Sequence, residues 1–118
     1  MLLGMLSCVP TGPTPLNARA QAFLALAQCY GEAKGIEGIT LTLFDRARPY
    51  CDTYVACAAW PGTTNIECWR EFMEGEEYAD VPLEGYAAHE VCHLSGIASE
   101  VEAEACAFYL VRDTKCEY

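Results

Sequence analysis

"AAHEVCHLSGIASEVEAEACAFYL", Ala87 to Leu110, holds both histidines of a 118-residue chain, His89 and His93, four residues apart with Glu90 between them. On a helix, residues four apart stand one above the other, so two imidazoles at this spacing can each direct a ring nitrogen at one tetrahedral ion. Glu90 is rotated by about 100° from His89 and cannot easily join them as a ligand. Its carboxylate can instead reach a water held at the ion, where a general base belongs. H-E-x-x-H therefore reads as a zinc site with Glu90 as the catalytic base. The bland alternative is two unrelated surface histidines. It needs the only two in the chain to fall at this spacing around a glutamate by chance.

The flanking sequence is helical on both sides. From about Leu83, the residues Ala87, Val91 and Leu94 fall on one side of a helix. His89, His93 and, one turn earlier, Tyr86 fall on the other, so a core face and a histidine face are expected to be separate. Gly96 is placed to stop the helix in the left-handed conformation. Ser99 and Glu102 form S-x-x-E, the capping box of a second helix. That helix is expected to turn Val101, Ala105 and Phe108 toward packing, while Glu100 and Glu104 share another face one turn apart.

No third histidine can complete the ligand set. "HEVCHLSGIAS" matches H-E-x-x-H-x-x-G-x-x, but Ser99 stands where metzincins carry a histidine or aspartate. Their Met-turn would lie downstream, and the last methionine here is Met73. With Glu102 taken by the cap, Glu100 and Glu104 remain.

"EVEAEACA", Glu100 to Ala107, resembles the E-x-x-A-D/N-x-F-A signature of gluzincin-type peptidases. The prenyl-protein protease family and the ImmA/IrrE family carry it on the helix after H-E-x-x-H. The resemblance implies that Glu100 is the third zinc ligand and that Glu104 supports the ligands from behind. It also makes Ala103 and Ala107 the small positions that let the two helices approach. Glu104 replaces Asp/Asn, Cys106 replaces Phe, and the link between the helices is very short; the likeness covers only residues 83–110.

The activity this implies is zinc-dependent hydrolysis of a peptide or protein substrate, with Glu90 taking the proton from water. Tyr86 and Tyr109 are candidate donors to the developing oxyanion. A strand ending near Trp69 to Phe72 could align an extended substrate by edge pairing. The alternative is a catalytically inactive zincin-fold binding or assembly module with a structural zinc.

The rest of the chain supplies the scaffold. Leu16, Ala20, Phe23, Ala27 and Tyr30 recur at helical spacing, giving a packing helix opened by Thr14-Pro15 and closed by Gly31. "ITLTLFD", Ile39 to Asp45, alternates as a half-buried strand does. "TYVACAAW" and "NIECWREF" flank "PGTT" as a hairpin; pairing residue 60 with 65 sets Cys57 opposite Cys68. "EGEEYADVP" reads as an acidic surface loop. The sum is α+β: a minimal zincin-like single domain over residues 16–118. It has an N-terminal packing helix, a small antiparallel-containing sheet, the H-E-x-x-H helix and a C-terminal acidic helix. Residues 1–15 read as a tail or the remnant of a targeting segment.

Eight cysteines without a C-x-x-C pair argue for disulfides rather than a zinc ribbon. They point to secretion or another oxidising compartment, the alternative being the interior of a thermophile. Cys92, inside the motif, reads as a bridge to Cys106 or as an inhibitory thiolate ligand. A net charge of -10 with only 7 Lys+Arg speaks against nucleic acid and anionic membranes. No stretch reaches the roughly 20 apolar residues of a membrane span.

Overall fold

The computed structural model describes residues 16–44 and 56–117. In chain order these form α1 (Ala18–Ala33), β1 (Thr40–Phe44), β2 (Cys57–Ala58), β3 (Asn65–Trp69) and α2 (Arg70–Glu74). A 3-10 turn (Glu76–Tyr78), α3 (Leu83–Leu94) and α4 (Glu100–Asp113) follow. The result is a small α+β domain with four helices and a three-stranded mixed sheet among the described residues.

Thr14 and Pro15 lie outside the described residues. The N-cap of α1 is Asn17, whose Oδ1 accepts the Ala20 N–H at 2.9 Å. Gly31 does not end the helix. The chain stays helical to Ala33 and stops at Gly35, φ +74°, with the N–H groups of Ile36 and Gly35 donating to the carbonyls of Gly31 and Glu32. Gly31 serves packing instead: a Cβ there would run into the Ile39 side chain.

β3 is the middle strand. β1 pairs with it in parallel, Thr40 opposite Asn65 through Phe44 opposite Trp69. β2 pairs with it antiparallel, Cys57 directly opposite Cys68, and a disulfide joins the two. Turn length and a side-chain period of two fix that register. The strand expected to run on to Phe72 stops at Trp69, and Arg70–Glu74 is helical. Adjacent Phe72 and Met73 are both buried, which a strand with alternating faces cannot achieve against one core.

α3 packs against α1 on one side and α4 on the other. Ala87, Ala88, Val91 and Cys92 are therefore fully enclosed. The expected clean division of α3 into a core face and an open histidine face does not hold: α4 covers the histidine side, and Glu90 and His93 are buried as well. The expected packing face of α4 is also corrected. Val101 and Phe108 are 81% and 64% exposed, and Ala105 is exposed, while Ala103, Ala107 and Leu110 are buried. The Cys92–Cys106 disulfide sets this rotation, because Cys106 shares its face with Ala103, Ala107 and Leu110.

The acidic segment contains the 3-10 turn and is tied to α1. Arg19 donates to the carbonyls of Phe72, Ala79 and Val81, and Asn17 to that of Met73. A third disulfide, Cys29–Cys116, anchors the C-terminal segment to α1. Three disulfides among the described residues suggest an oxidising, extracellular-type environment. No described helix is long and apolar enough to cross a membrane.

Replacing both Cys92 and Cys106 by serine should lower stability by about 3 kcal/mol, the entropic scale for closing a loop as short as the 14-residue separation of this bridge. Urea unfolding should show the lower midpoint, and removal of Cys29–Cys116, spanning 87 residues, should lower it further. A double Cys92/Cys106 variant as stable as the parent would show that the bridge does not constrain the helices.

Candidate metal centre

Both histidines project from α3 toward the first two turns of α4. His89 Nε2 and His93 Nε2 are 3.1 Å apart, and Glu100 Oε1 lies 2.7 Å from the first and 3.0 Å from the second. The far side of each ring is fixed. The Nδ1–H of His93 donates to the Ile97 carbonyl at 2.6 Å, an acceptor that leaves no choice of role. His89 Nδ1 meets Glu104 Oε1 at 2.6 Å, where the ring nitrogen donates to the carboxylate. With both Nδ1 atoms carrying hydrogen, the Nε2 lone pairs of the neutral rings face each other and a carboxylate oxygen. That convergence is repulsive unless a proton or a metal ion lies within it.

His89, His93 and Glu100 thus form a group that could hold a metal ion. Donor atoms on a tetrahedral ion with bonds of about 2.0–2.1 Å stand about 3.3 Å apart. The separation of the two histidine nitrogens is already close to this, and the two shorter ones both involve Glu100, whose side chain, 67% exposed, has room to move. Where protons rather than a metal ion sit on the Nε2 atoms, burial weighs against ionising Glu100, but hydrogen bonds from His93 and His89 and their charge outweigh it and hold the carboxyl below its ordinary range. Among the described residues no other His/Cys/Asp/Glu cluster of this kind occurs, so the acidic 76–80 segment is not a second one.

The local fold explains the geometry. Gly96, φ +124°, closes α3 with the Gly96 N–H on the His93 carbonyl and the Ile97 N–H on that of Cys92. This reversal returns the Ile97 carbonyl to the His93 ring. The Glu102 N–H donates to Ser99 Oγ, which starts α4 with Glu100 in its first position. Cys92 is in the bridge to Cys106 and is not a thiolate ligand.

Glu90 is 5% exposed, and its Oε1 has no hydrogen-bond partner. Burial, then the charges of Glu100 and Glu104, push its carboxyl up to about 8. It forms part of the wall of a cavity of about 750 Å³ that also reaches His89, Glu100 and Glu104. Tyr86 lines the same cavity, its ring 5.0 Å from that of Phe72. Tyr109 does not line it: its ring lies against Phe108 and beneath the Arg112 guanidinium. The β3 edge expected to align a substrate is not available, because β3 is the central strand. Ala56 and Cys57, at β2, border the cavity instead. The sequence reading also missed Phe108 and Arg112 in the cavity wall. Their spacing from Glu100 and Glu104, four residues at each step, was the available signal.

Comparisons of the chain with protein-family models, with curated proteins and with solved structures find no match.

Elemental analysis of purified protein should find close to one divalent ion per chain. His89→Ala and His93→Ala should lose it, and Glu100→Gln should bind it weakly. Glu104→Gln should lower affinity by about 10–100-fold, the scale for a group that orients a ligand. Full affinity in Glu100→Gln with loss in Glu104→Gln would exchange the two roles.

Proposed function

We propose that the protein is a zinc-dependent metallopeptidase with a zincin-like, gluzincin-type centre. The observation that carries this reading is Glu90. A buried carboxylate with an unpaired oxygen, on a cavity wall beside two histidines and a glutamate, is costly to the fold. It has no use in a purely structural site, and this counts against the reading of an inactive binding or assembly module with a structural zinc. Two imidazoles and one carboxylate are a donor set that suits zinc, and three protein ligands are the usual complement of a catalytic zinc. When bound, zinc supplies Lewis-acid activation of water and of a carbonyl group.

The chain's own residues do the rest. His89, His93 and Glu100 hold the ion, while Glu104 and the Ile97 carbonyl keep the rings turned toward it. Glu90 removes a proton from the attacking water and returns it to the leaving amine. Tyr86, one turn before Glu90 on the same wall, is the remaining candidate donor to the oxyanion. β2 has β3 as its one sheet neighbour among the described residues, so its outer edge is the strand edge suited to an extended peptide or protein substrate. The disulfides fit work in an oxidising compartment.

Glu90→Gln keeps size and removes the base. Metal content and melting temperature should hardly change, while turnover of an unstructured peptide should fall by about 10²-fold or more. The loss should appear in kcat rather than KM. Wild type and variant equally inert toward a broad peptide library, each with metal bound, would leave the structural reading standing.

A further inference from the structure

The cavity does not end at the histidines. Glu100, Glu104, Phe108 and Arg112 all stand on its wall, at successive four-residue steps of α4. At about 1.5 Å of rise per residue the row spans about 18 Å. That is the length of about five residues of extended chain. The wall changes character along this length: carboxylates at the metal end, then Ala107, Phe108 and Val111, then a guanidinium.

Among the described residues Arg112 is the one Lys or Arg on that wall, in a chain of net charge -10. Its Nε and Nη2 donate to the two Asp113 oxygens at 2.8 and 3.0 Å, and its guanidinium carbon lies 4.6 Å from the Tyr109 ring centroid. The guanidinium is thereby held in place with two of its five N–H groups engaged, leaving three to donate elsewhere. The bland role for Arg112 is to neutralise Asp113. Both members of that pair are more than half exposed, so it adds little stability, and it occupies only one side of the planar fork.

We propose, on the basis of the peptidase reading above, that this cleft takes an extended peptide with apolar side chains against Phe108 and Val111 and a carboxylate on Arg112. The carboxylate stands about four or five residues from the bond that is cut, and it belongs to the peptide's C-terminus or to an Asp or Glu side chain. Glu90, Glu100 and Glu104 at the other end of the cleft disfavour an anion there, which makes the preference specific to one position of the ligand.

The test uses six-residue dansylated Leu/Ala peptides. One is amidated and neutral, a series carries a single Asp or Lys walked along the amidated chain, and one has a free C-terminus. Binding is read by fluorescence on the zinc-loaded Glu90→Gln chain, which leaves the peptide intact. One Asp position, or the free C-terminus, should bind about tenfold more tightly than the neutral amide, and these two arms separate the sources of the carboxylate. Arg112→Ala should erase the difference without weakening the neutral peptide, and Arg112→Glu should turn the preference toward Lys. Equal binding of all peptides, binding of none at millimolar concentration, or an equal loss for neutral and anionic peptides in Arg112→Ala overturns the proposal. Turnover by the wild type tests the underlying reading separately. Charge-selective binding without cleavage keeps the cleft and removes the peptidase, whereas cleavage without charge preference does the reverse.

Discussion

The close approach of α4 to α3 at Ala103 and Ala107 governs the whole centre. Both side chains are buried in the seam, and each is a single carbon. The backbones can therefore come near enough for Glu100 to stand within 3.0 Å of both ring nitrogens. A leucine at either position would push the helices apart by more than that geometry tolerates. Two alanines bury little apolar area, so packing alone holds such a seam weakly. The Cys92–Cys106 bridge lies in the same seam and keeps it closed. Small residues set the distance and the disulfide maintains it.

The electrostatics follow from that closure. α4 shuts the histidine side of α3 from water, which leaves Glu90 desolvated beside two further carboxylates. Each of these effects disfavours its ionised form. A dication on the histidines acts in the opposite sense and restores the charge a general base needs. The acidic groups around the site are thus self-repelling alone and mutually consistent around a cation.

What the sequence revealed was mostly local. The His89–Glu90–His93 spacing, the Gly96 stop and the Ser99 cap each depend on a few neighbouring residues, and each is found in the structure. The Cys57–Cys68 register was legible because a short turn and a period of two leave one solution. Helix periodicity failed on α4 for a definable reason: it says which residues share a face, and α4 has two apolar faces. The choice between Val101/Ala105/Phe108 and Ala103/Ala107/Leu110 is made by contacts on another helix. The E-x-x-A resemblance pointed to Ala103 and Ala107, two members of the second set, as the small positions where the helices approach. The parallel pairing of β1 with β3 and the helical turn at Arg70–Glu74 are non-local outcomes of the same kind.

Exposure divides the site unevenly. The side chains of His89 and His93 are 14% and 7% exposed, whereas those of Glu100 and Glu104 are 67% and 73% exposed. The histidines of α3 are fixed in the core, and the two carboxylates of α4 stand at the water's edge. A site built to hold a fold together encloses its ion with four protein ligands. Here three donors converge from one side, and the cavity opens beside them along α4. An ion held in this way would keep a face toward whatever fills the cavity, and Glu90 is a buried carboxyl group on the wall of the same cavity. The two ends of α4 also differ in what they border. Its first turn brings Glu100 to the histidines, and its later turns line the cavity with Ala107, Phe108, Val111 and Arg112.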